Sequence, residues 1–193
     1  MDKFNLIVEE IKKITKNATD KTEYDHSQWV WQWVLKLKPE ADSALQIAAL
    51  GHDIDRSFED QRKRRQYFAI YDEYKKEHAL LSAQIMCDLL RKHNFDETMM
   101  DKVKHLIENH EVGGEGDVEI LKEADSITFF NSLLHYRQTH NQAETIAKIK
   151  FMYDRLNDNA KLMVKQIDFK NAELIKLFQE ATKKYVEVGG RVY

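Results

Sequence analysis

One proline and six glycines in 193 residues leave this chain almost without the punctuation that divides a β-protein into short strands and turns. Their scarcity favours long helices over sheet. Cysteine is rarer still: Cys87 stands alone, which excludes an internal disulfide and fits a reducing cytosol. It reads as a small buried apolar residue beside Met86. No stretch approaches the roughly 18 uncharged apolar residues of a membrane span. Met1-Asp2-Lys3-Phe4 lacks the apolar core of a signal peptide, so a cytoplasmic protein with no membrane contact is expected. No one sign of charge dominates either. A net charge of −3 argues against a general nucleic-acid-binding surface and a stable nucleic-acid complex, while leaving room for a small nucleotide or phosphate pocket.

What the chain does have is amphipathic helix. At 42% hydrophobic residues it can bury one good core but is short for two, so residues 1–193 are expected to form a single all-α domain. Apolar periodicity predicts helices over 3–16, 21–37, 40–53, 71–93, 96–111, 117–137, 142–156 and 159–187. Pro39 suits a first helical turn. Asn94 and Asp96 mark a stop and a new N-terminus, and Gly113-Gly114-Glu115-Gly116 is the clearest loop. The run Trp29-Val30-Trp31-Gln32-Trp33-Val34, at helical spacing, reads as core rather than as an interfacial anchor.

Against this background six residues stand out: His26, His52, Asp53, His78, His110 and Asp125, in the order H…HD…H…H…D. Four imidazoles and two carboxylates are enough for two metal ions. Each falls on an apolar helical face, where an uncompensated polar group is costly and where the ligands of helix-bundle metal sites are found. His26 precedes Trp29, Val30, Trp33 and Val34. His52 and Asp53 close the run Leu45, Ala48, Ala49, Leu50, and His78 leads Leu81, Ser82, Ile85 and Leu89. His110 ends Val103, Leu106, Ile107, and Asp125 lies between Leu121 and Phe129. By contrast His105, His135 and His140 keep polar company, and His93 sits where it can complement a helix C-terminal dipole. Directly after the His-Asp doublet, a basic segment carries Arg56, Arg62, Lys63, Arg64 and Arg65 with Glu59 and Asp60 intermixed. It is either a solvated surface or a source of one or two arginines that grip an anionic group.

These segments resemble the HD superfamily of metal-dependent phosphohydrolases. The likeness rests on His26-Ser27-x-x-Val30, Ala48-Ala49-Leu50-Gly51-His52-Asp53, His78-Ala79-x-x-Ser82-Ala83-x-Ile85, Leu106-Ile107-Glu108-Asn109-His110 and Ala124-Asp125. It covers about residues 20–135, with C-terminal helices at 142–187 outside it. The resemblance implies a single-domain HD-type helical bundle. His26, His52, Asp53 and Asp125 would form the basic metal site, His78 and His110 would complete a dinuclear one, and Asp53 would bridge. Two subgroups share this ligand order: phosphohydrolases with cyclic-dinucleotide phosphodiesterases, and mixed-valent di-iron oxygenases resembling inositol oxygenase and the phosphonate-cleaving oxygenase. The chain also departs from common patterns. His52-Asp53-Ile54-Asp55-Arg56 replaces the frequent His-Asp-x-Gly-Lys, and the Gly-Tyr-Pro signature of cyclic-di-GMP phosphodiesterases is absent. Arg56 also stands where bacterial 5′-nucleotidase relatives carry a glutamate, so that acid-base residue does not transfer.

The leading expectation is a phosphohydrolase acting on a phosphomonoester or nucleotide-like phosphodiester through metal-activated water. Asp53 and Arg56 are the expected catalytic residues, and Arg56, Arg62, Arg64 and Arg65 the expected phosphate-binding ones. Asp55 and Glu111 are candidates for orienting imidazoles or moving protons. The expected cofactors are divalent ions, two in number, with Fe, Mn, Mg, Zn, Ni and Co not distinguished by these ligands. A di-iron oxygenase and a non-catalytic HD ligand-binding module are the alternatives.

Overall fold

The computed structural model describes residues 2–58 and 66–183, and every regular element among them is helical. Ten α-helices follow one another: α1 (Lys3–Lys16), α2 (Thr22–Leu37), α3 (Ser43–Gly51), α4 (Tyr71–Lys92), α5 (Glu97–Asn109), α6 (Asp117–Asn131), α7 (Leu133–Thr139), α8 (Gln142–Asp154), α9 (Asp158–Lys165) and α10 (Ala172–Thr182). A 3₁₀ turn, Ile54–Ser57, follows α3.

Short polar side chains set most of the helix starts by accepting from the otherwise unpartnered first-turn N–H groups. Asp2 caps α1, Asp42 caps α3, Asp96 caps α5 and Asn157 caps α9. At α8 Asn141 and Glu144 form a reciprocal capping box. Asn94 ends α4 in the left-handed region, with φ 56°, as an αL stop residue does. Three expected boundaries are corrected. Pro39 lies outside a helix, in a turn closed by Ala41 N–H donating to Lys38 O at 2.9 Å, because Asp42 supplies the stronger start for α3. The span 117–137 breaks at Ser132, whose hydroxyl donates to Phe129 O at 3.0 Å and competes with the helical ladder. The span 159–187 breaks between Lys165 and Ala172, where Asp168 accepts from Lys170 N–H and Asn171 starts a new helix. Its last residues lie outside the described ones.

The chain divides into two compact units, Met1–Ala124 and Asp125–Tyr193, with the division inside α6. In the first unit α3 is the centre, buried from Ala44 and Leu45 through Ile47–Gly51 and contacted by α1, α2 and α5. A helix apolar on all sides has to be interior. Full burial of Leu45, Ile47 and Leu50 stabilises by roughly 1.5–3 kcal/mol each. The other extensive pairing is α4 against α5. Trp33 is buried on α2, while Trp31 is half-buried and donates to Gln46 Oε1 at 3.1 Å. Cys87 is buried on α4, and burial pushes its thiol up. In the second unit Phe130, Tyr153 and Phe169 surround Phe178, with ring centroids 5.8, 5.7 and 5.3 Å from it. Arg137 ties α7 to Glu173 of α10 at 2.7 Å. No helix among the described residues is long and apolar enough to cross a membrane.

Two predictions follow from the first unit. A Cβ at Gly51 would sit 2.4 Å from Met86 Sδ, itself fully buried. Gly51→Ala should therefore lower stability by about 1–3 kcal/mol in thermal or urea unfolding, despite alanine's better helix propensity. In a Met86→Ala background, which is itself destabilised, the further change Gly51→Ala should cost less than it does in the wild type, because the new methyl then has room. The second concerns Glu10 of α1, which meets Lys92 at 2.7 Å and pairs with His93 at the end of α4. Lys92 holds its carboxyl below the usual range, with His93 adding to the effect against some burial. The folded value lies below the unfolded one of about 4.3, so the contribution is complete above that pH and disappears as pH falls through the folded value. Glu10→Gln should cost up to about 1 kcal/mol near pH 7, and urea unfolding curves of variant and wild type should converge in acid.

Candidate metal centre

The site begins at two helix ends. His52 is the C-cap of α3 and His110 the C-cap of α5. Each donates its Nδ1–H to a last-turn carbonyl of its own helix, His52 to Ala49 O at 3.0 Å and His110 to Ile107 O at 2.7 Å. A carbonyl can only accept, so the proton is on Nδ1 in both rings. One bond satisfies an end carbonyl and turns Nε2 away from the helix as a potential ligand atom. The two rings lie edge to face, with centroids 5.1 Å apart, and both residues are buried.

Asp53 follows His52 directly and leaves the helix, with φ −111° and ψ 20°. This departure sets the carboxylate among the imidazoles. Oδ1 lies 2.8 Å from His78 Nε2, 3.5 Å from His110 Nε2 and 3.6 Å from His52 Nε2. Oδ2 lies 3.5 Å from His26 Nε2 and is paired with Arg56 Nη1, one 3₁₀ turn further on. Burial by itself would raise the Asp53 pKa. Arg56, His52 and His78 outweigh it and hold the carboxyl well below the usual range.

His78 reaches the same point from α4. Its Nδ1 donates to Asp55 Oδ1 at 2.7 Å, and that oxygen also accepts from Ser82 Oγ at 2.8 Å. Tyr74, one turn earlier on α4, stacks on the His78 ring at 5.9 Å. Burial opposes charge on His78, but Asp53 and Asp55 prevail and raise its pKa to about 9. As a metal ligand it would give up that proton. Asp55 then stands behind it as the carboxylate that orients a ligating imidazole.

His26 of α2 is the partly open member, with its side chain 25% exposed. Its Nε2 lies 3.1 Å from His52 Nε2. Because His52 keeps its proton on Nδ1 for Ala49, that contact needs a proton or a cation between the two nitrogens. Two buried or largely buried trios, His52–Asp53–His110 and His78–His110–Glu111, each bring a ligand atom from every member within 4.8 Å of the others. Imidazole nitrogens with carboxylate oxygens make a donor set that fits a divalent transition-metal ion.

Within the first unit every expected ligand it contains, His26, His52, Asp53, His78 and His110, is therefore brought to one place. Asp125 is half-buried on α6 and opens the second unit. Arg56 lies inside the cluster, its Nη2 3.4 Å from His78 Nε2. Arg62, Lys63, Arg64 and Arg65 lie outside the described residues. His105, His135 and His140 are exposed, and His140 stacks on Tyr136. Sequence reasoning missed Glu23, whose carboxyl is raised by burial and by the Asp53 charge, and Lys75, which pairs with Glu111 at 2.9 Å. Each sits three residues before a candidate ligand, His26 and His78 respectively, on the same helical face. That spacing was the available signal.

No curated protein and no solved structure matches the chain. One family model does, across residues 8–175 and so over most of the sequence, and it includes every residue of the cluster. The chain belongs to the family described as a domain of unknown function, DUF4202.

Proposed function

We propose that this chain is an HD-type, metal-dependent phosphohydrolase acting on a phosphomonoester or a nucleotide-like phosphodiester. The observation that carries the reading is the placement of the Arg56 guanidinium against a buried centre of three imidazoles and the Asp53 carboxylate. His26, His52, Asp53, His78 and His110 would hold two divalent ions, and Asp125 joins them on the strength of the sequence motif. When bound, such ions supply Lewis acidity to a phosphoryl oxygen and bring the pKa of a water molecule toward neutrality.

The chain's own residues would do the rest. The Nδ1 bonds of His52 and His110 and the Asp55–His78 bond fix the imidazoles before substrate arrives, so no reorganisation is needed on binding. Asp53 presents a fully ionised carboxylate at neutral pH. Arg56 keeps its charge despite burial because Asp53 stands beside it, and its planar fork can turn N–H groups toward two phosphate oxygens. Arg62, Arg64 and Arg65 are proposed to extend this grip. A cytosolic location suits the single buried thiol.

Metal content after anaerobic purification tests the centre. His52→Ala or Asp53→Ala should lose most bound metal, whereas His78→Ala or His110→Ala should mainly weaken a second ion. Full stoichiometry in both of the latter would leave a mononuclear site. Arg56→Ala should cut kcat/KM for a phosphate ester by about 10²–10³-fold with metal content and helicity unchanged, the scale for loss of one charge-stabilising donor. Arg56→Lys should recover only part. Phosphate release without oxygen by protein reloaded with manganese or magnesium supports hydrolysis. Turnover confined to iron and accompanied by oxygen uptake would assign the chain to the di-iron oxygenases instead.

A further inference from the structure

Resting on the metal-centre reading above, we infer that Glu111 is a seventh donor of the centre and that Lys75 is its built-in counter-ion, displaced when a second cation binds. Glu111 directly follows His110, and its carboxylate comes within 4.8 Å of ligand atoms on His78 and His110. The same carboxylate is held by Lys75 Nζ at 2.9 Å, and the two side chains are only 14% and 12% exposed. Lys75 stands on α4 on the face of His78, and its ammonium lies over the Tyr71 ring at 5.4 Å. The pair is therefore not a surface contact between two mobile side chains.

A carboxylate withdrawn from water needs positive charge beside it. Asp53 obtains it from Arg56 and Glu111 from Lys75, so each trio of donors has one carboxylate with one basic side chain upon it. A divalent ion on His78, His110 and Glu111 brings two positive charges into the place the ammonium serves. The ammonium is then repelled, and its flexible stem lets it leave. Lys75 thereby sets how weakly the second ion is held, and Glu111 sets whether it is held at all.

The test is calorimetric titration of the metal-free full-length protein with Mn²⁺, in the wild type, Lys75→Met, Glu111→Gln and the double variant, with helicity followed by circular dichroism. Lys75→Met should tighten the weaker site at least tenfold and leave the tighter one unchanged. The double variant should bind the weaker ion at least tenfold less well than Lys75→Met. That comparison stands even if Glu111→Gln alone folds poorly around an unpaired lysine, since the double variant removes both charges. Equal affinity of the double variant and Lys75→Met, within twofold, would overturn the role of Glu111. An unchanged weaker site in Lys75→Met would overturn that of Lys75. A single ion in both wild type and Lys75→Met would overturn this inference while leaving a mononuclear centre, and no ion in any form would overturn both readings.

Discussion

The carboxylate of Asp53 is 8% exposed, and an anion so far from water holds its charge only if cations and N–H donors are brought to it. They come from separate parts of the chain: His52 from the end of α3, Arg56 from the 3₁₀ turn, His78 from α4 and His110 from the end of α5. Each of these elements has its own apolar reason to pack. The common requirement at Asp53 fixes where along their lengths they meet. Gly51, one residue before His52, lies close enough to α4 that a side chain there would collide with that of Met86.

Orientation at the centre comes from bonds that also serve the backbone. His52 and His110 use their Nδ1 protons to satisfy carbonyls at helix ends, where no further turn exists to do so. Helix termination and the direction of the inward-facing nitrogen are thus a single event. His78 lies inside a helix and has no free carbonyl to use, and it turns instead to Asp55, itself held by Ser82. The chain arrives at the same result, a fixed imidazole with one nitrogen aimed inward, by two routes dictated by where each histidine falls on its helix.

Charge within the cluster is arranged in pairs: Arg56 with Asp53, Lys75 with Glu111, His78 between Asp53 and Asp55. Breaking such a pair by removing one member leaves a buried charge alone and is far more damaging than replacing both. This coupling makes each basic side chain as much a part of the cluster as the carboxylate it meets. It also explains why Arg56, read from the sequence as either surface or anion grip, is found inside the cluster, drawn there by a carboxylate three residues away.

The all-α class, the exact span of α1, the stop at Asn94 with the new start at Asp96, and the convergence of His26, His52, Asp53, His78 and His110 were all readable from the sequence. These depend on composition, caps and the 3.6-residue period, which are local properties. The breaks at Ser132 and near Asp168 were not readable, because side-chain-to-backbone bonds there compete with a periodicity that continues across them. The partners of Lys75 and His78 were decided only in three dimensions. Glu111 is 36 residues from Lys75, and Asp55 is 23 residues from His78. Periodicity states which face of a helix a residue occupies, but which residue stands opposite depends on how far one helix slides along another. The packing of α4 against α5 and the 3₁₀ turn sets that position.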